Sequence, residues 1–254
     1  MKVIGVVPAR MASSRFPGKP LFRISGRPLV EHCFLRAKLF PRWTGLYLAT
    51  CDQEIADFGK AKDWPVIWTK DTHTRALDRV AEATEKCGLT VAETDIVVCV
   101  QGDEPMLHPD MIDAVVRPLE TDSQVEGTML AVHITQPDMF YNPDIVKIVH
   151  DVNGDVLYTS RAPIPYCKTF SPELMARRVG GIFAFRWRFL KQFNAMPESP
   201  LEIKEACDSN RICDNALRQR IAPYPGTQYF SVDSPADADL VEQHMAADPL
   251  WGKY

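Results

Sequence analysis

The sequence predicts an α/β fold, a mostly parallel central sheet with helices on both faces. Three observations lead there. Short apolar strand-like runs alternate with helical stretches four times over the first 120 residues or so. That order builds parallel strands joined by crossover helices. The 254 residues are enough to bury a sizeable core in one domain, taken here as 1–254. A composition of 46% hydrophobic and 24% charged residues fits a soluble globular chain and not a disordered one.

The elements follow in order. KVIGVVPA reads as a buried strand ending at Pro8. In RPLVEHCFLRAKLF the apolar residues Leu29, Val30, Cys33, Phe34 and Leu35 gather mostly on one helical face, with Pro28 suited to a first turn. GLYLAT is a second strand, and DQEIADFGKAK a helix with Asp52 as N-cap. PVIWT is a third strand, followed by a helix over 76–87. DIVVCVQGD is the clearest strand, and MIDAVVRPLE the helix after it.

From about residue 127 the pattern turns β-rich. VKIV and VLYT flank the turn signal DVNGD and predict a hairpin. The stretch at about 127–190 reads as an inserted antiparallel subregion, a dimerisation or lid element. Helices are expected at 187–196 and 200–218, then a strand at 219–224 or 228–232. SPADADLVEQHM closes the chain as a helix begun by Ser234 and Pro235.

Composition excludes several classes. With 29 basic against 33 acidic residues, a broad nucleic-acid surface is not expected. The seven cysteines are odd in number and form no CxxC, which predicts reduced thiols in a cytoplasmic protein. A strand pattern begins at once, so no signal peptide is expected, and no apolar run is long enough to span a membrane.

Against a net charge of -4, the loop after the first strand places Arg10, Arg15 and Lys19 within ten residues. Such a loop either holds a triphosphate or is simply a solvated basic loop. It lacks the P-loop pattern. Asp103, in QGDEP at the end of the clearest strand, suits a divalent metal facing phosphates, or else a turn cap. Asp233 in FSVDSPAD repeats the strand–Asp–helix arrangement, or is a turn residue. Two strand-end aspartates with a triple-cation loop supply what a magnesium–triphosphate site needs. Arg79 lies beside Asp78 and Glu82, as a surface ion pair or a nucleotide contact. Arg161 either clamps a substrate carboxylate or is solvated. The aromatics at 183, 185, 187 and 189 read as core. No local signature of a covalent catalyst is present.

The segments PARMASSRFPGKPL, VQGDEPM, LYTSRAPIP and VDSPADADLV, in this order, resemble the 3-deoxy-manno-octulosonate (Kdo) cytidylyltransferases. The resemblance runs from residue 1 to about 245. It implies a Rossmann-like nucleotidyltransferase fold, a homodimer, and Mg²⁺-dependent transfer of CMP from CTP to an acidic keto-sugar with release of pyrophosphate. It implies that Arg10, Ser13, Arg15 and Lys19 bind the phosphates. Pro8, Ala9, His73, Arg79 and Gln101 fall on the nucleotide side, Asp103 and Asp233 on the metal aspartates. Arg10, Arg15, Lys19 and Asp103 then carry the catalysis, and Arg161 falls in the sugar region.

Departures cluster on the acceptor side. Where the family reads S-G-T-D-R or S-G-T-E-R, this chain has Arg75, Ala76, Leu77, Asp78 and Arg79. Val179 and Phe183 replace the His and Tyr of H-x-G-I-Y, and Asp208 and Ser209 replace a Glu–Gln pair. Loss of such polar groups changes which polyol a pocket accepts. The expected partners are therefore CTP and Mg²⁺ with Kdo or a Kdo-like acid. The alternatives are a different acid, such as a phosphonate or phosphate, and a non-catalytic nucleotide-binding protein.

Overall fold

The computed structural model describes residues 1–12, 15–225 and 231–254. Strand β1 (Val3–Pro8) is followed by a 3-10 turn (Lys19–Leu21) and a small hairpin, β2 (Arg23–Ile24) and β3 (Arg27–Pro28). Then come α1 (Leu29–Lys38), β4 (Gly45–Thr50), α2 (Gln53–Ala61), β5 (Val66–Trp68), α3 (Ala76–Lys86), β6 (Ile96–Val100) and α4 (Pro109–Thr121). The second half holds β7 (Gly127–His133), α5 (Pro137–Tyr141), β8 (Lys147–His150), β9 (Val156–Ser160) and β10 (Arg177–Arg186). It ends with α6 (Trp187–Ala195), α7 (Pro200–Glu205), α8 (Ser209–Asp214), β11 (Arg220–Tyr224) and α9 (Pro235–Met245).

Among the described residues the main sheet runs β11-β7-β10-β6-β1-β4-β5. The pairs β1–β4, β1–β6, β4–β5 and β7–β11 are parallel, while β10 runs antiparallel to both β6 and β7. The alternation of strand residues explains why both faces are covered. Ile96, Val98 and Val100 face one core with Phe34 of α1, Val115 of α4 and Val241 of α9. Val97 and Cys99 face the other, with Val80 of α3, Phe193 of α6 and Ile212 of α8. The aromatics Phe183, Phe185, Trp187 and Phe189 are buried in that second core.

The region 127–190 divides. Strands β7 and β10 are woven into the main sheet, and β8–β9 forms a hairpin beside it that reaches β10 at Arg177 and Arg178. The predicted pairing of VKIV with VLYT is present, with Lys147 opposite Ser160. Asp151 sets the turn by accepting the Asn153 and Asp155 amides.

Three expectations need correction. The helix expected over 200–218 is broken into α7 and α8. Ala206 takes a left-handed φ of 49° and the Cys207 amide closes back on Glu202 O. Tertiary bonds impose the break. Glu202 is locked into Arg211, and Glu205 turns toward Tyr158, Ser160 and the Arg161 amide. Second, between the first strand and the helix of RPLVEHCFLRAKLF, read as successive elements, stand a 3-10 turn and the β2–β3 hairpin. Third, Ser231 and Val232 before Asp233 are not in a strand. The strand at 219–224 forms as β11, and the alternative at 228–232 lies largely outside the described residues.

Candidate active site

The carboxyl ends of β1 and β6 lie side by side, and a cavity of about 330 Å³ opens there. Gly102 allows this approach, since a Cβ on it would stand 2.7 Å from Pro8 O. The loop leaving β1 is folded by its own bonds. Gly18, at φ 75°, returns its amide to Met11 O, and Phe16 packs into the core. Asp52, at the N-cap position of α2, does not cap its helix with its side chain. It accepts the Met11 amide at 2.8 Å and so ties the loop to α2.

Lys19 is the centre of the site. Its Nζ donates to Asp103 Oδ2 at 3.0 Å, Asp233 Oδ1 at 3.3 Å and Val232 O at 2.7 Å. Burial works against the ammonium, but the two carboxylates outweigh it and hold the pKa above that of a free lysine. Arg15 reaches Asp233 at 3.0 Å and Asp144 at 3.5 Å. The chain joins these distant parts by a backbone bond from Val232 N to Asp103 O, 2.9 Å long. The aspartates therefore converge without the strand expected before Asp233.

The opposite wall belongs to α3 and the loop before it. Arg10 donates to His73 O at 3.4 Å. His73 is hydrogen-bonded to Glu82, which also receives Lys86 and the Lys70 amide. Burial would raise the Glu82 carboxyl, yet these donors pull it down to about 2. Arg79 is not in a surface ion pair. It is 2% exposed, donates to Thr69 and to Lys70 O, and keeps Nη2 without a hydrogen-bond partner.

The cavity thus gathers Pro8, Ala9, Arg10, Arg15, Lys19, His73, Arg79, Gln101 and Asp103. Asp233 joins through Lys19 and Arg15. Ser13 lies outside the described residues. Arg161, Val179, Phe183, Asp208 and Ser209 do not line this cavity. Arg161 donates to Pro143 O and Glu205 O and more weakly to Ala206 O. Phe183 is core, Val179 is half-buried and Ser209 is buried. Burial raises the Asp208 carboxyl, with the Arg75 guanidinium opposing. Sequence reasoning missed Asp144 and the Val232 carbonyl, and read Asp52 only as an N-cap. Their roles come from tertiary contacts, and no local motif marks them.

A cationic loop facing carboxylates at the carboxyl edge of a mostly parallel sheet is the arrangement of a nucleotide-binding α/β protein. A family profile described as Cytidylyltransferase matches residues 4–221. The 3-deoxy-manno-octulosonate cytidylyltransferase of Oleidesulfovibrio alaskensis is 40% identical over 239 residues, covering 93% of this chain and 94% of the relative. The protein of the same name from Thermodesulfovibrio yellowstonii is 36% identical over 253 residues, covering 96% and 98%. A solved CMP:2-keto-3-deoxy-manno-octonic acid synthetase complexed with CTP superposes with a TM-score of 0.87 at 30% identity, covering 97% of this chain and 99% of that one. The chain belongs to the 3-deoxy-manno-octulosonate cytidylyltransferase family, a family of CTP-dependent nucleotidyltransferases.

Proposed function

We propose that this enzyme transfers CMP from CTP to the anomeric hydroxyl of Kdo or a Kdo-like acidic keto-sugar, with Mg²⁺ and with release of pyrophosphate. The observation that carries it is Lys19 bound between Asp103 and Asp233 in a cavity that also holds Arg10 and Arg15. The names and the CTP complex of the relatives point the same way.

The residues present fit Mg²⁺. Asp103 Oδ1 is buried and has no hydrogen-bond partner, while Asp233 is 37% exposed at its side chain. One or two carboxylates completed by phosphate oxygens suit this ion, which would draw charge from the triphosphate when bound. Arg10, Arg15 and Lys19 meet the charge that gathers on the pyrophosphate as the bond from the α-phosphorus to its bridging oxygen breaks. The acceptor oxygen attacks from the opposite side. Positioning and electrostatics supply the catalysis, and no protein nucleophile is needed.

Where the resemblance puts a sugar-contacting His and Tyr, this chain has Val179 and Phe183, without imidazole or hydroxyl. A second reading, another acid such as a phosphonate or phosphate, draws support from that. A cytoplasmic homodimer completes the proposal. Its support is the family resemblance, the free cysteines, and exposed Val152 and Leu157 on the β8–β9 hairpin, and light scattering in solution checks the dimer. The test of function is pyrophosphate release from CTP and Mg²⁺ with Kdo, with a panel of phosphonates and phosphates, and with no acceptor. Release with Kdo alone supports the first reading. Release with another acid alone supports the second. Nucleotide binding with no release from any acid overturns both.

A further inference from the structure

Arg75 stands on the cavity wall at the N-cap of α3, and its side chain makes no cap bond there. Arg79, four residues on and inside the helix, stands in the same wall with its unpartnered Nη2. What holds Arg75 is weak. Its Nη2 meets Glu198 at 3.0 Å, a carboxylate 50% exposed. Its Nε lies 3.6 Å from Glu202 Oε1 and has no hydrogen-bond partner. Glu202 is already occupied, taking two bonds of 2.7 Å from Arg211 and the Ser199 amide at 3.1 Å. The Arg75 guanidinium thus has one direct hydrogen bond, to the half-exposed Glu198, and such exposed pairs contribute little, while Glu202 at 3.6 Å and Asp208 act on it through charge alone.

We infer that Arg75 reads the acidic group of the acceptor, exchanging its contact with Glu198 for the acceptor's carboxylate. This rests on the function proposed above. The planar fork of an arginine suits a carboxylate in two-point contact. Arg10 touches His73 O, two residues before Arg75, so the acid would sit next to the phosphate-binding half. Arg75 is therefore a specificity-determining residue, and Glu198 the partner it gives up for the acceptor.

The test compares wild type, Arg75→Ala, Arg75→Lys and Glu198→Gln, using Kdo and its neutral C1 amide as acceptors with CTP and Mg²⁺. Arg75→Ala is expected to raise the KM for Kdo about 10- to 100-fold, the loss of a charge-assisted contact. The KM for CTP and the response to the amide should not move. Arg75→Lys should recover part of the loss. Glu198→Gln should lower the KM for Kdo, because the competing carboxylate is gone. Equal losses for acid and amide, a parallel rise in the KM for CTP, or a higher KM in Glu198→Gln would make Arg75 a strut between α3 and α7 and overturn the inference. Melting curves report folding, and Glu198→Gln carries the test if Arg75→Ala fails to fold. Should Kdo not react, binding of the acid panel in the presence of CTP replaces turnover. Equal binding by wild type and Arg75→Ala sinks this inference alone, whereas no binding of any acid sinks it together with the functional reading.

Discussion

Replacing Lys19 by Met tests the centre of the site. The ammonium is 13% exposed at its side chain and has three acceptors. Its bond to Asp103, a carboxylate 22% exposed, is worth about 1.5–3 kcal/mol as a hydrogen bond to a charged group. The contact with Asp233 is 37% exposed and shared with Arg15, so screening cuts it to below about 1 kcal/mol. Removal also relieves the burial cost of the ammonium, leaving a net loss of roughly 2–3 kcal/mol. For a domain of this size that is about 4–12 °C in Tm. Added Mg²⁺ should restore more of the Tm in the variant than in wild type, since it meets Asp103 without its cation and Asp233 with only the exposed Arg15. The pH dependence has a definite sign. Because the folded pKa of Lys19 is raised, its stabilisation is complete below the free lysine value of about 10.4 and fades as pH climbs through the folded value. The gap between the two melting curves should therefore close at high pH. Turnover with CTP should fall about a hundred- to thousand-fold. Identical melting at neutral pH, or full turnover in the variant, would refute the placement of Lys19 between the aspartates and the phosphates.

Gly102→Ala should separate the ends of β1 and β6, since the added carbon meets Pro8 O at 2.7 Å, and calorimetry should show weaker CTP binding with about 1–3 kcal/mol lost in stability. Glu82 should contribute to the acid limb of the stability curve. Its folded pKa of about 2 makes its contribution, at most about 3 kcal/mol, complete above the free glutamate value of about 4.3 and lost as pH falls toward 2, and Glu82→Gln should flatten that limb in acid titration. Arg161→Ala leaves the Pro143 and Glu205 carbonyls without their donor, so hydrogen exchange should quicken around 142–146 and 205–206 and Tm should drop by a few degrees.

Much of this protein is legible in local patterns. Val3–Pro8 and Ile96–Val100 form strands on β-branched runs and Gly45–Thr50 on the short apolar GLYLAT, and α3 and α4 form where the apolar period is helical. The VKIV–VLYT hairpin follows from its turn residues. The cationic loop was readable because three like charges in ten residues need a reason. These signals act over a few residues, and the physics that sets them is equally short-ranged.

Only the tertiary structure decided the rest. No local signal says that β10 slots antiparallel between β6 and β7, because its buried residues would suit either direction. No helical propensity breaks 200–218. The buried Glu202–Arg211 pair and the inward turn of Glu205 do so, at the cost of a left-handed Ala206. Arg79 reads as a surface ion pair or a nucleotide contact, and only the fold shows Thr69 and Lys70 O taking its Nη1 while the residue lines the cavity. Lys19 meets Asp103 84 residues away and Asp233 214 residues away. The residue types were visible in the chain from the start. Their meeting depends on which strand ends the sheet sets side by side, and that is a property of long-range pairing and packing, which no short window of sequence encodes.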